Sequence, residues 1–329
     1  MTILVTGGAG YIGSHMVLAL LDAGQRVTVL DNLSTGFRTA IPSGADFVEG
    51  CVSDEDLVGK VIAEKGIDAI VHFAGSIVVP DSVTDPLDYY LNNTVRSRAL
   101  IAAAVAGGVK RFVFSSTAAV YGEASAEPLK ETSPLDPVSP YGASKLMTER
   151  MLADSARAYG LPYVVLRYFN VAGADPQGRA GQSSARATHL IKTAAGVVVG
   201  KRKGLDIFGD DYPTRDGTCV RDYIHVSDLA KAHLQALEYL AGGGAPLTAN
   251  CGYGRGASVL EVIESVKRVS GVDFPVTRAP RREGDPASLV ADASVARQTL
   301  KWTPDYDDLD TIVGHALAWE RRLAQREAA

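Results

Sequence analysis

The stretch Thr6-Gly7-Gly8-Ala9-Gly10-Tyr11-Ile12-Gly13 decides the fold. It follows the apolar run Thr2–Thr6 and opens a helical pattern over Ile12–Ala23. Gly7, Gly10 and Gly13 form a G-x-x-G-x-x-G series. Such a chain turns sharply, comes close to a pyrophosphate and packs a helix onto the sheet behind it. Each step favours a missing side chain. The helix start offers free N–H groups and a positive dipole end to the phosphates. The next strand pattern, Arg26–Asp31, ends in an acid. A carboxylate there accepts from both hydroxyls of an adenosine ribose and repels a 2′-phosphate, which predicts NAD over NADP.

Outward from this loop the same rhythm repeats. Asp46–Glu49, Ala69–Phe73, Arg111–Ser115 and Tyr163–Arg167 read as further strands, and Pro86–Ala106 as a long helix. Strand–helix alternation implies βαβ units and a parallel sheet covered on both faces. The expected class is α/β: a Rossmann-type doubly wound parallel sheet, with a smaller mixed α/β C-terminal lobe for the substrate. Residues 1–168 are expected to form the NAD-binding domain and 169–329 an interleaved lobe, with later returns to the sheet near 223–252. Residues 170–186 show no clear period. Helices are expected over Thr188–Val199, from Ser227 to Leu240, over Ser258–Ser270 and over Leu309–Gln325. Strands are expected at Leu205–Phe208 and Leu247–Asn250, and a loop through Tyr212–Arg221.

A second constellation carries chemistry. Ser115-Ser116-Thr117 closes one strand, and Tyr141-Gly142-Ala143-Ser144-Lys145 begins a helix after Pro140. Tyr-x-x-x-Lys puts both side chains on one helix face, about 5–6 Å apart at Cβ. A phenol of pKa about 10 is a poor base at neutral pH. A nearby ammonium favours the phenolate, as does the positive charge of an oxidised nicotinamide. The pair is then suited to take a proton from an alcohol hydroxyl, with Thr117 orienting that oxygen. His15 and His72 fall inside helix and strand patterns and read as packing residues.

Composition narrows the class. The chain has 329 residues, 46% of them hydrophobic and 22% charged, with a formal net charge of −5. This is the balance of a folded domain rather than a disordered chain. It lacks the basic surplus of a general nucleic-acid binder. Cys51, Cys219 and Cys251 are too few and too widely spaced for a disulfide framework, and the histidines are scattered, so no metal site is expected. No signal peptide or membrane span is read, and a cytoplasmic setting is expected.

Together these marks resemble the extended short-chain dehydrogenase/reductase family, and within it the UDP-glucose 4-epimerases. The resemblance covers nearly the whole chain. It rests on TGGAGYIGSH (6–15), DNLSTG (31–36), HFAG (72–75), FSSTAAVYG (114–122), SPYGASKLMTE (139–149), LRYFNVAGA (166–174), IFGDDYPTRDGTCVRDYIHVSDLA (207–230) and RREGDPASLVADAS (281–294). It implies UDP-glucose and UDP-galactose interconversion by transient C4 oxidation with tightly held NAD, rotation of a 4-keto sugar and return of the hydride. It also implies a homodimer through paired helices. Tyr141 would be the base, Lys145 its partner, and Thr117 the hydroxyl that meets the reacting oxygen. Gly7, Gly10, Tyr11, Ile12, Gly13, Asp31, Asn32, Ser34, Thr35 and Gly36 would hold the adenosine and pyrophosphate side. Cys51, Val52, Phe73, Ala74, Gly75, Asn92, Ser115 and Tyr168 would complete the NAD site. Asn170, Arg221 and Arg282 would meet the substrate's diphosphate end, Leu190, Leu205 and Phe208 would line the uracil pocket, Asp285 would take the uridine ribose, and His189 would also belong to the substrate site. A core position for Tyr168 and a solvated one for either arginine are the competing readings.

Three positions depart from the family pattern. Cys51 stands where related enzymes often carry an Asp that meets the adenine amino group. Ile77 stands where many carry Lys. Leu289 stands where members that exclude N-acetyl sugars place a bulky Tyr. Ala118 and Ala119 lack the acid and base that a 4,6-dehydratase needs. A 4-epimerase of UDP-N-acetylglucosamine or of a UDP-pentose stays open, as does a non-catalytic NAD-sensing protein.

Overall fold

In the computed structural model, which describes residues 1–123, 128–184, 187–282 and 285–328, the strands in chain order are β1 (Thr2–Thr6), β2 (Arg26–Asp31), β3 (Asp46–Glu49), β4 (Ala69–His72), β5 (Arg111–Thr117), β6 (Tyr163–Tyr168), β7 (Asn170–Ala172), β8 (Leu205–Phe208), β9 (Val220–His225), β10 (Leu247–Cys251), β11 (Gly256–Ser258), β12 (Val276–Ala279) and β13 (Ser288–Leu289). Seven of them form one parallel sheet in the order β10-β6-β5-β4-β1-β2-β3. The order reverses beside β1, which opens a crevice at the strands' C-terminal ends. That crevice is where open α/β sheets bind ligands.

Strand residues alternate between two cores. Ile3 and Val5 face a cluster with Met16, Val17 and Leu20 of the helix Tyr11–Asp22 and Leu229 and Leu237 of the helix Val226–Ala241. Leu4 faces the other side, with Val58 and Ile62 of Glu55–Lys65, Leu100 of Arg96–Ala106 and Leu152 of Pro140–Tyr159. Burial on both faces explains why these strands read as continuous apolar runs.

The remaining strands form two small sheets. β9 pairs with β7, β11 and β13, and β8 pairs with β12. The loop expected through Tyr212–Arg221 gives way to strand at Val220. Arg221 and Asp222 are buried there. Asp222 is held in place because its carboxylate accepts from the backbone of Tyr253, Gly254 and Ala291. Pro86–Ala106 is also not one regular helix. A π-helical stretch, Tyr90–Val95, separates Pro86–Tyr89 from Arg96–Ala106. The wider turn rotates the face that follows it. Of the irregular stretch expected over 170–186, residues 185 and 186 lie outside the described residues, as do Glu283 and Gly284 of the 281–294 motif. No helix among the described residues is long and apolar enough to cross a membrane.

Candidate functional site

Two kinds of glycine build the first loop. Gly7 has φ +71, and a Cβ there would stand 2.6 Å from the backbone nitrogen of Ala74. A Cβ on Gly13 would stand 2.1 Å from the carbonyl oxygen of Gly7. Both are needed for the turn to close. Gly10 is different, since its missing Cβ would meet only the Gly7 oxygen, at 3.2 Å. A side chain there asks the turn to give by only a few tenths of an ångström, far less than at Gly7 or Gly13, and the bare glycine leaves the backbone open to a ligand. The helix that follows has no side-chain cap, which leaves its first-turn amides without a side-chain acceptor. Asp31 ends β2 and accepts from Ala9 N (2.9 Å) and Leu33 N (2.8 Å), leaving each carboxylate oxygen a further lone pair. Uncapped amides, a bare glycine and an acid beside the loop suit a pyrophosphate and a ribose, so these residues fit a dinucleotide.

The loop after β2 folds back on this cradle. Asn32 accepts from Ser34 N (3.1 Å), Gly36 packs on Ala9, and Thr35 is exposed. Val52 is buried, and the Cys51 thiol lies 3.1 Å from the Ser53 hydroxyl. Phe73 and Ala74 are half-buried beside the glycine turn. The Tyr11 hydroxyl donates to Gly173 O at 2.7 Å, so its side chain joins the loop to the second lobe.

The second constellation sits at the ends of β5 and β6. Ser139 caps the helix Pro140–Tyr159 by accepting from Gly142 N. This fixes Tyr141 in the first turn. The Thr117 hydroxyl accepts from Ala119 N at 3.1 Å and shares a side-chain hydrogen bond with the Tyr141 phenol. Burial raises the Tyr141 phenol above its ordinary value, and that bond pulls it back in part. Lys145 is buried, and its Nζ donates to Ser115 O at 3.0 Å. Burial brings its pKa down to about 8, so the ammonium persists at neutral pH. Burial is the largest influence on the phenol, and the expected pull of this ammonium is not among the influences that lower it in the protein alone. Ser115 Oγ accepts from the Tyr168 hydroxyl, and the Tyr168 ring lies against His233, both inside the core.

In the second lobe, β7 runs in register with β9, Asn170 beside Tyr223. Asn170, His189 and Leu190 line one cavity that Tyr11 also reaches. His189 Nδ1 is buried without a hydrogen-bond partner among the described residues, and burial lowers its pKa. Arg221 and Asp285, read separately as diphosphate and ribose partners, are joined in an ion pair. The Arg282 guanidinium stacks 3.8 Å over the Phe208 ring. Leu205 points into the main core with Ile207 rather than into the cavity.

One residue escaped the sequence. Asn93 is buried at the corner of the site, beside the half-buried Asn92. Its Oδ1 accepts from Ser76 N (2.7 Å) and lies 2.9 Å from where a Gly75 Cβ would stand, and its Nδ2 reaches Ser144. Asn92 turns to Ser76 Oγ and Arg96. The adjacent asparagines were the only signal, and the π-helical stretch sets which of them is buried. Among the described residues no group of three His, Cys, Asp or Glu is placed to hold a metal.

A family model described as the NAD dependent epimerase/dehydratase family matches residues 3–252. The chain is 56% identical to a UDP-glucose 4-epimerase of Azospirillum brasilense over 323 residues, covering 98% of this chain and 93% of that protein. A crystal structure of UDP-glucose 4-epimerase from Brucella ovis in complex with NAD matches with a TM-score of 0.94 and 44% identity, covering 96% of this chain and 97% of that one. The UDP-Glc/GlcNAc 4-epimerase from Campylobacter jejuni matches with a TM-score of 0.85 and 50% identity, covering 98% and 99%. By the matched motifs and this likeness along nearly its whole length, the chain belongs to the NAD-dependent epimerase/dehydratase family.

Proposed function

We propose that this protein interconverts UDP-glucose and UDP-galactose at C4. The observation that carries the reading is the constellation of Tyr141, Thr117, Lys145 and Ser115 at the mouth of a dinucleotide crevice. Residues 1–168, with the returning segment near 223–252, hold the NAD, and the rest of 169–329 holds the UDP-sugar. NAD supplies, when bound, a two-electron acceptor that is restored within each turnover. Tyr141 takes the proton of the sugar's 4-hydroxyl and later gives it back. Thr117 donates to the oxygen that loses it, and so fixes the oxygen's position. Lys145 keeps its positive charge at neutral pH and favours the phenolate. The buried phenol therefore becomes a base only when cationic neighbours offset its burial. Asn170, His189 and the Arg221–Asp285 pair anchor the uridine diphosphate while the sugar turns over, and Arg282 closes on it from Phe208.

The working form is a homodimer. Val83, Leu87, Leu91 and Val95 recur at every fourth position, all exposed, Leu87 to 79%, with Met147 of the neighbouring helix beside them. An apolar stripe of this kind marks an interface. The free thiols of Cys51, Cys219 and Cys251 fit a reducing, cytoplasmic setting.

The test is to incubate the purified protein with UDP-galactose and follow the anomeric protons by NMR. Conversion to UDP-glucose up to a fixed ratio, without added cofactor, is expected. Tyr141→Phe should lower kcat by about 10²-fold or more. No conversion by the unaltered protein, even with NAD supplied, would refute the reading.

A further inference from the structure

Directly behind the reacting groups lies a buried charge network. Ser115 and Thr117 belong to the site, while Ser116 between them points to the opposite face of β5 and donates to Glu149. Glu149 stands one helical turn beyond Lys145 and two beyond Tyr141, so the three share a face. Its carboxylate also accepts from Arg167, from Nε at 3.0 Å and Nη2 at 2.5 Å. Arg167 is the partner of Ser116 in the β5–β6 register. Helix, β5 and β6 therefore meet at one point, with Ser116, Glu149 and Arg167 exposed by only 1%, 7% and 4%.

A second arm leaves Arg167. Its Nη1 donates to the Tyr121 hydroxyl at 3.1 Å, and that hydroxyl donates to Asn250 Oδ1 at 2.7 Å. Asn250 Nδ2 donates to Leu129 O at 2.8 Å, and Leu129 N donates to Val290 O at 2.8 Å. Val290 follows Leu289, which lies in register with Arg221. Unbroken hydrogen bonds thus join the helix of Tyr141 to the strand beside Arg221.

A buried ion pair is a poor way to gain stability, since apolar residues of similar volume often do as well or better. What an arginine fork on a carboxylate does supply is direction. Here it ties β6 to the helix that carries the candidate base.

We infer that Glu149 and Arg167 are positioning residues, which set the register of the Pro140–Tyr159 helix on β5 and with it the approach of Tyr141 to Thr117 and of Lys145 to Ser115. The inference rests on the epimerase reading. A misplacement of about 1 Å can cost about 10²-fold in rate.

The test compares the full-length protein with Glu149→Gln and with the paired Glu149→Leu/Arg167→Met, which removes no net charge. Turnover of UDP-galactose, KM and the melting midpoint are measured for each. Lys145 is also titrated by 13Cε NMR, a readout independent of turnover. Glu149→Gln should lose about 10- to 100-fold in kcat with KM within about threefold. The paired variant should melt within a few degrees of the parent, keep the loss in kcat, and show the Lys145 midpoint moved up from about 8 as the ammonium regains water. Wild-type kcat and an unmoved Lys145 midpoint in the paired variant would overturn the inference. So would a loss of rate that only follows the folded fraction. If the parent fails to convert UDP-galactose, the epimerase reading falls, and the Lys145 midpoint alone decides whether the pair sets the helix.

Discussion

Acidification from pH 7 to pH 5 should remove much of the stability of this protein, because four imidazoles are built into its core as neutral groups. His15, His72, His225 and His233 are buried. His72 lies between the hydroxyls of Thr6 (2.7 Å) and Ser97 (2.8 Å). His225 Nδ1 accepts from Ser227 N, and His15 Nε2 accepts from Asp175 N. Among the described residues His233 is hydrogen-bonded to Leu229 O alone. Burial brings the four from 6.5 down to about 4, 3, 3 and 4 in chain order. Each folded value lies below the unfolded one. Between about 4 and 6.5 the unfolded chain therefore binds more protons, and stability rises with pH and is lost as pH falls. At about 1.4 kcal/mol per pH unit, each histidine costs about 2 kcal/mol at pH 5, or about 8 kcal/mol for four. The whole stability of a domain is about 5–15 kcal/mol. Asp222, Asp228 and Glu131, raised by burial, act in the opposite sense and offset part of this. Urea midpoints followed by circular dichroism from pH 7.5 to 5 should fall steeply, with a slope of about two protons or more near pH 5.5. His233→Leu should reduce that slope by about one proton. Stability that is flat or rises toward pH 5 would refute the reasoning.

Four further outcomes are expected. Gly7→Ala should cost about 2–4 kcal/mol of stability through its positive φ and its contact with Ala74, while Gly10→Ala should cost under about 1 kcal/mol yet empty the protein of NAD. Equal melting of the two, or full NAD in Gly10→Ala, would contradict this. Cys51→Asp should hold NAD more tightly by about 1.5–3 kcal/mol, and the parent should lose NAD on long dialysis; full occupancy of the dialysed parent counts against it. Leu289 is half-buried against Ala118, Tyr121 and Phe169, so the parent should turn over some UDP-N-acetylglucosamine and Leu289→Tyr should lose it. Good turnover of UDP-galactose with none of the N-acetyl sugar would sink that expectation. Leu87→Glu should shift the protein to monomer in sedimentation velocity, and an unchanged mass would remove the stripe from the interface.

Features set by local spacing were legible in the sequence. The glycine series, Asp31 and the Tyr141/Lys145 pair each need only a few neighbouring residues to be read. β7, β11 and β13 were missed because two or three residues carry no periodicity, and it is pairing with β9 that makes them strands. The Arg221–Asp285 ion pair and the Ser116–Glu149–Arg167 junction join distant segments, so no window contains them. The burial of Asn93 hung on one π-helical stretch. The high Tyr141 phenol was also out of reach, because helix spacing gives the distance to Lys145 but not the depth of burial.

β10 has a consequence for synthesis on the ribosome. It covers β6, and it arrives only at Leu247–Cys251, after the whole excursion through β7, β8 and β9. Until then Val164-Val165-Leu166 forms the open margin of a parallel sheet, with unpaired backbone groups on a strand that is buried in the finished protein. At about 5–20 residues per second, roughly eighty residues of translation leave that margin bare for about 4–16 s. A nascent chain halted in this interval would offer its neighbours an aggregation-prone edge, so the late strand acts as the seal that ends this exposure.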